Sequence, residues 1–197
     1  MLPTDELILV NYGSTDGLVG WLSTQVFNKD VKLVTYNGNT DRFHLTKAKN
    51  IAHFHANREI LCNLDVDNWI YDGFSDWLFG NVNESTIVRG ELTSAGARGR
   101  VAMFTSTFRL LGGYNENFYG WGYDVTDLMI RATDANIATK FIPSNWLSHI
   151  THGDDLRELA DAKSLSASCN ANIKISTDGK FSGIQLKYNS SIRSLSK

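Results

Sequence analysis

Glu59-Ile60-Leu61-Cys62-Asn63-Leu64-Asp65-Val66-Asp67-Asn68 is the stretch whose reading decides the fold. A short apolar strand ends and two carboxylates follow at positions i and i+2. Side chains two apart on an extended chain point the same way, so Asp65 and Asp67 can serve one ligand together. Hard carboxylate oxygens suit Mg²⁺ or Mn²⁺ carrying a diphosphate. Equally, one carboxylate can hold the cation and the other a ribose, and Asp pairs of this spacing also occur in plain surface turns. Working outward, Glu6-Leu7-Ile8-Leu9-Val10 reads as a buried strand, and Val31-Lys32-Leu33-Val34-Thr35-Tyr36 as a second one. Between them, Leu18, Trp21, Leu22, Gln25 and Val26 recur at helical spacing. Leu45, Ala48, Ile51, Ala52 and His55 then mark one face of a second helix. This β-α-β-α-β alternation predicts an α/β domain, with a mostly parallel sheet flanked by helices. In such sheets ligands collect beyond the carboxyl ends of the strands, where the two carboxylates fall.

Composition narrows the function classes. The 197 residues are one domain's worth, enough to bury a proper core. A net charge of -2 carries no nucleic-acid footprint, and no apolar run approaches membrane-spanning length. Cys62 and Cys169 are too few for a disulfide framework, so a reducing, cytoplasmic setting is the default expectation. Five Trp residues suit a sugar-stacking surface or a well-filled core.

Regularity falls after residue 80. Gly90, Gly96 and Gly99 punctuate the approach to a strand at Arg100-Val101-Ala102-Met103-Phe104. Gly112-Gly113-Tyr114-Asn115-Glu116 is a turn and Gly120-Trp121-Gly122-Tyr123 a loop. Asp124 begins a helix with inner face Leu128, Ala132 and Ala135, where its default role is an N-cap. Lys140-Phe141-Ile142-Pro143 is a late strand, followed by His149 and His152. Residues 189–197 are Ser- and Lys-rich and are expected to fray. Arg100 and Lys47 are diphosphate candidates by charge alone.

Four blocks in this order resemble the inverting, metal-dependent nucleotide-sugar glycosyltransferases of the GT-A (Rossmann-like) fold. The nearest likeness is to the family-2 and galactosyltransferase C-terminal-region types. Asn11-Tyr12-Gly13-Ser14-Thr15-Asp16-Gly17 is similar to the nucleotide-side loop. Lys47-Ala48-Lys49-Asn50-Ile51-Ala52 is similar to the A-[RK]-N helix, and Asn63-Leu64-Asp65-Val66-Asp67-Asn68 to the L-D-A-D-N motif. Leu111-Gly112-Gly113-Tyr114-Asn115-Glu116 through Trp121-Gly122-Tyr123-Asp124-Val125-Thr126-Asp127-Leu128 is similar to the G-G-[FY]-[DN]-E…G-W-G-x-E-D-x-D-L block, the most specific of the four.

The resemblance covers about residues 6–155 and implies a nucleotide-binding part at 6–80 and an acceptor and catalytic part at 81–155. Residues 156–197 form a C-terminal extension of the same single domain. It implies a nucleotide-sugar donor, a UDP-sugar by resemblance, with a glycan or other hydroxyl acceptor and Mn²⁺ or Mg²⁺ as cofactor. Asp65 would face the ribose or a metal-bound water, Asp67 the metal itself, and His152 would complete the metal shell, with His149 its rival. Trp121 and Tyr119 would form an acceptor platform on a loop freed by Gly120 and Gly122. Asp127 would be structural.

Three departures stand out. The strand and helix that members place before residues 6–10 have no counterpart, which implies an N-terminally truncated sheet and self-association through an open edge. Asn11 stands where an acidic residue is usual; it can still hydrogen-bond the nucleotide, without charge. Val125 stands at the usual catalytic base, leaving Asp124 as the nearest carboxylate. A degenerate relative that binds nucleotide or glycan without turnover, or another metal-dependent phosphoryl enzyme, would use the same carboxylates.

Overall fold

The computed structural model describes residues 5–91, 98–153, 155, 157, 159 and 161–196. The chain opens with strand β1 (Glu6–Asn11), helix α1 (Leu18–Thr24), strand β2 (Asp30–Tyr36), helix α2 (Leu45–His55) and strand β3 (Ile60–Asn63). There follow β4 (Asn68–Trp69), α3 (Phe74–Asn81), β5 (Thr86–Arg89), β6 (Val101–Phe104), α4 (Thr105–Leu110) and α5 (Asp124–Asp134). The last elements are β7 (Ala138–Phe141), β8 (Ser148–His149), α6 (Leu165–Thr177) and β9 (Ser190–Ser194).

The α/β class is as expected, but the sheet is mixed rather than mostly parallel. The strands form a three-stranded sheet β1-β2-β9, a four-stranded sheet β3-β6-β5-β7 and a two-stranded ribbon β4-β8. Among the described residues only the strand pairs β1 with β2 and β5 with β7 run parallel. Strand β3 does not join the first two; it pairs antiparallel with β6, Leu61 opposite Met103. Local periodicity gives strands but not their partners, and β6 lies about forty residues downstream of β3.

The four-stranded sheet holds the core, and its period-2 alternation divides it. Ile87, Val101 and Met103 face Val125, Leu128, Met129 and Ala132, the i, i+3, i+4, i+7 stripe of α5. Val88 and Ala102 face the other way, onto Phe74 and Leu78 of α3. Ala135 is exposed at the end of α5 and does not share its inner face. A third cluster joins Val34, Ile51 and Tyr188. The C-terminal residues expected to fray instead pair with β2, Ile192 opposite Val34. Helix α6 and strand β9 are thus built into the domain: α6 packs on the loop before α5, and β9 covers one edge of β2.

Strand β1 departs from its sequence reading. Leu7, Ile8, Leu9 and Val10 are half-buried, not buried. Among the described residues β1 pairs with no strand but β2. An apolar strand with an open edge is a template for another chain. Static light scattering on the purified chain is therefore expected to show self-association that grows with concentration. A monodisperse monomer up to high concentration would contradict this. Among the described residues no helix is long and apolar enough to cross a membrane.

Candidate functional site

The ends of β1 and β3, the polar face of α2 and the start of α5 build the site. In the first loop, buried Asn11 accepts the Ser14 N–H at 2.9 Å, so its side chain shapes the turn. Tyr12 stacks on Tyr36 at 4.7 Å and meets Phe43 edge-on at 5.6 Å. This aromatic group beside Asn11 joins residues from three separate segments, and no local spacing announces it.

After β3 the chain turns through Asp65 into the β4-β8 ribbon. In that ribbon Asn68 lies opposite His149, and the Ile150 N–H donates to the Asp67 carbonyl at 2.7 Å. The ribbon carries His152 to Asp67, with Nε2 at 3.4 Å from Oδ2. His152 Nδ1 lies 2.8 Å from the Gly153 carbonyl. A carbonyl only accepts, so Nδ1 carries a proton and Nε2 is the nitrogen that faces Asp67. Metal-bound histidines show this arrangement, with the second nitrogen fixed by a carbonyl. His149 has its place in the ribbon pairing, so the geometry favours His152 of the two.

Asp65 does not complete a trio. Its Oδ1 accepts from Asn63 Nδ2 at 3.2 Å and lies 3.9 Å from Lys49 Nζ. Its Oδ2 rests against Gly99, where a Cβ would sit 2.2 Å away, so only glycine leaves room for this carboxylate. Among the described residues no three His, Cys, Asp or Glu side chains gather as a metal site. Two donors still fit Mn²⁺ or Mg²⁺. Such ions commonly take one or two carboxylates and fill the remaining positions with waters and substrate phosphates.

Lys49, the basic residue of the A-[RK]-N block, to which the sequence assigned no role of its own, is the electrostatic centre. Its side chain is 8% exposed and its Nζ lies 2.7 Å from Asp124 Oδ2. Burial alone would lower the lysine's pKa, but Asp124 and then Asp65 outweigh it and hold the ammonium well above the ordinary lysine range. Asp124 begins α5 as expected, but it does not cap it. The cap position is Tyr123, in the left-handed region at φ 70, a conformation uncommon for an aromatic residue. Val125 is in the main core cluster, so position 125 points into apolar packing and away from Asp124's side of the helix. Asp127 is structural as expected: Oδ2 accepts from Arg131 at 2.8 Å and Oδ1 from Ser176 at 2.7 Å.

Asn50, next to Lys49, acts as a backbone surrogate. Its Oδ1 accepts the Tyr114 N–H at 2.8 Å and its Nδ2 donates to the Tyr114 carbonyl and to Glu116 Oε1, both at 2.9 Å. Glu116 also accepts from Gln185 Nε2 at 2.8 Å and from the Tyr188 hydroxyl. The glycine-rich turn is thereby tied to α2 on one side and to the C-terminal segment on the other.

Two expectations need correction. Arg100, expected at a diphosphate, is 0% exposed, and its guanidinium donates to the carbonyls of Trp146, Trp69 and Ser148. It stacks 5.6 Å from the Phe74 ring and fastens the ribbon that bears His152. A cation needed for an anion cannot be spent inside on carbonyls, so its contribution is to position. The Gly120-Trp121-Gly122 loop, expected to move, is stapled to α6. Trp121 N–H donates to Ser168 Oγ at 2.8 Å, and Asn172 Nδ2 to the carbonyls of Tyr119 and Gly122 at 3.1 and 2.9 Å. Gly120, at φ +67, leaves no room for a Cβ, which would stand 2.5 Å from Ser168 Oγ. Tyr119 remains 61% exposed; Trp121 is half-buried under Arg157 at 5.0 Å. Lys47 is half-exposed in the first turn of α2.

Below the site, His53 sits against Phe108 at 4.5 Å, and burial, then Lys49, pushes its pKa down to about 3. In the unfolded chain a histidine titrates near 6.5. Below that pH the unfolded state takes up a proton that the folded state refuses, until the pH reaches the folded value. Stability is therefore full above about pH 6.5 and falls by roughly 1.4 kcal/mol per pH unit below it. Urea unfolding at pH 7 and pH 4.5 checks this: His53→Leu is expected to lose less stability between the two than the wild type does. Equal losses would contradict a neutral, buried His53.

Comparison with known proteins agrees with this architecture. Residues 85–153 match the family model described as the N-terminal domain of galactosyltransferase. Among solved structures, a variant of Drosophila beta-1,4-galactosyltransferase 7 in complex with manganese, UDP-Gal and xylobiose superposes with a TM-score of 0.56. The two are 14% identical, over 83% of this chain and 78% of that one. No curated protein matches the chain. The fold is thus an α/β fold similar to that of a GT-A galactosyltransferase. Within it, the segment running from β5 to His152 is galactosyltransferase-like.

Proposed function

We propose that this chain is a metal-dependent, inverting glycosyltransferase that moves a sugar from a UDP-sugar to an acceptor hydroxyl. The observation that carries the reading is the Asp67–His152 pair, in which Nε2 lies 3.4 Å from the carboxylate between β3 and β4. The manganese, UDP-Gal and xylobiose of the similar structure support a divalent cation, a nucleotide-sugar and a hydroxyl acceptor for this chain too.

Asn11 and the Tyr12 ring would meet the nucleoside beyond the end of β1, Asp65 the ribose, and Lys47 the outer face of the diphosphate. Asp67 and His152 would hold the cation. When bound, the cation neutralises charge developing on the departing diphosphate. Tyr119 and Trp121 would orient the acceptor on a loop that α6 already fixes. The acceptor oxygen then bonds to the anomeric carbon from the face opposite the diphosphate. The carbon–oxygen bond to phosphate breaks, UDP leaves with the electron pair, and the hydroxyl proton passes to Asp124. For that the hydroxyl must come within about 3 Å of the carboxylate.

One observation favours a second reading. Asp124 is buried against an ammonium at 2.7 Å, and Val125 lies in the core, so the base has no exposed substitute next to it. A chain so arranged binds a nucleotide-sugar without turning it over. Product analysis with Mn²⁺ and a panel of UDP-sugars separates the readings. Transfer with intact UDP released supports the enzyme. Tight Mn²⁺-dependent UDP binding with no product supports the binding module. Release of UMP would point to a diphosphate hydrolase and overturn both.

A further inference from the structure

His44 caps α2, and the cap fixes its protonation. Its Nδ1 accepts the Lys47 N–H at 3.3 Å. A backbone N–H only donates, so Nδ1 is bare and the ring is neutral with its proton on Nε2. The residue is 7% exposed, and Nε2 is closed to solvent with no hydrogen-bond partner among the described residues. The Glu116 backbone bears on the ring without completing a hydrogen bond. A buried donor left without an acceptor is rare in a folded chain and calls for a reason. What lies against His44 is Tyr119, with ring centroids 4.8 Å apart and planes tilted by 57°. The Tyr119 side chain is exposed, but its backbone is held: its N–H donates to Asn172 Oδ1 at 3.2 Å, and its carbonyl accepts from Asn172 Nδ2 at 3.1 Å. The ring can therefore turn about its own side-chain bonds while the loop stays in place.

We propose that His44 is a sugar-binding residue, whose Nε2–H is a donor for a hydroxyl oxygen of the acceptor and is covered by the Tyr119 ring until the sugar arrives. This rests on the acceptor platform of the proposed function. The chemistry selects the ligand. Burial, and then the charge of Lys47, disfavours the imidazolium, so the group is a neutral donor suited to a neutral hydroxyl. Turning Tyr119 aside uncovers Nε2 and presents an aromatic face to the C–H groups of a sugar ring. An aromatic platform alone is indifferent to which hydroxyl a sugar carries. A fixed buried donor is not, because a sugar lacking the matching hydroxyl leaves it unpaired. His44 thus supplies the selectivity and Tyr119 the contact area.

Calorimetric sugar titrations of the whole chain, with UDP and Mn²⁺ present, test this. The probes are xylobiose and the methyl β-glycosides of xylose, glucose, galactose and N-acetylglucosamine. Two variants divide the functions of the ring. His44→Asn places an amide near Nδ1, so it keeps the cap and lacks the deep donor. His44→Gln reaches to Nε2, so it keeps the donor and lacks the cap. H44N should melt no lower than the wild type, since asparagine is among the best capping residues. It should bind the sugars that the wild type binds about tenfold more weakly, the effect of one lost hydrogen bond with a buried group. H44Q should melt about 2–4 °C lower yet bind the same sugars within about threefold of the wild type. A folded H44N that binds sugars as the wild type does, or an H44Q as weak as H44N, overturns the inference while the platform itself stands. Failure of the wild type to bind any of these sugars overturns the acceptor platform and this inference together. UDP binding in the same samples reports separately on the donor site.

Discussion

Lys49→Met is expected to lower the stability of the domain by about 3–5 kcal/mol, because it strands the Asp124 carboxylate in the interior without a counter-charge. The pair is nearly closed to solvent, with side chains 8% and 12% exposed, so water cannot take over the role of the ammonium. A domain of this size holds only about 5–15 kcal/mol in total. At about 2–4 °C per kcal/mol, the melting temperature should drop by on the order of 10 °C. K49M/D124N should recover most of that loss, since the uncompensated charge, not the missing contact, causes it. Circular dichroism melts of wild type, K49M and the double variant check the pattern. A single variant as stable as wild type would show that the charge pair is solvated and that α2 and α5 are not coupled through it.

In the sequence Lys49 is legible as the basic residue of the A-[RK]-N block, but not as a buried counter-ion. The apolar residues of α2 suggest a buried face of Leu45, Ala48, Ile51, Ala52 and His55. Of these the structure buries Ile51, together with Thr46, Lys49, Asn50 and His53. Hydrophobic periodicity finds an inner face only when that face is apolar. Here it is polar because it supplies an ammonium to two carboxylates and a backbone surrogate to the glycine-rich turn. The helix was legible and its orientation was not. The α5 stripe was legible for the converse reason, since Leu128 and Ala132 meet an apolar sheet. Strand existence was likewise readable, but the antiparallel partnership of β3 with β6 is set by tertiary packing. Arg100 shows a further gap: charge alone cannot distinguish a phosphate ligand from a buried clamp on three carbonyls. The pairing of Asp67 with His152 was readable only through resemblance, since the ribbon that joins them is two residues long on each side.

Asp67→Ala is expected to abolish the Mn²⁺-dependent part of UDP binding, a loss on the order of 100-fold or more, since even residues behind the direct ligands cost 10–100-fold. The fold should survive. The Asp67 side chain accepts from its neighbour Asn68 at 2.9 Å, and the backbone carbonyl that holds the ribbon through Ile150 is kept in alanine. Losing one such side-chain hydrogen bond costs about 1 kcal/mol. His152→Ala should behave in the same way, and His149→Ala should keep most of the affinity, because His149 serves the ribbon and His152 faces the carboxylate. Protonated imidazole cannot ligate, so acid should weaken the metal in the wild type and in His149→Ala alike. Calorimetry on these variants checks the set. Mn²⁺-dependent affinity that persists in Asp67→Ala, or that falls more in His149→Ala than in His152→Ala, would move the cation elsewhere.

The most direct measurement is a calorimetric titration of the wild-type chain with UDP in the presence and absence of Mn²⁺. A cation seated between Asp67 and His152 and shared with a diphosphate predicts saturable one-to-one binding with Mn²⁺, and at least tenfold weaker binding once the metal is chelated. Identical UDP affinity with and without Mn²⁺, or no binding in either condition, would contradict the account.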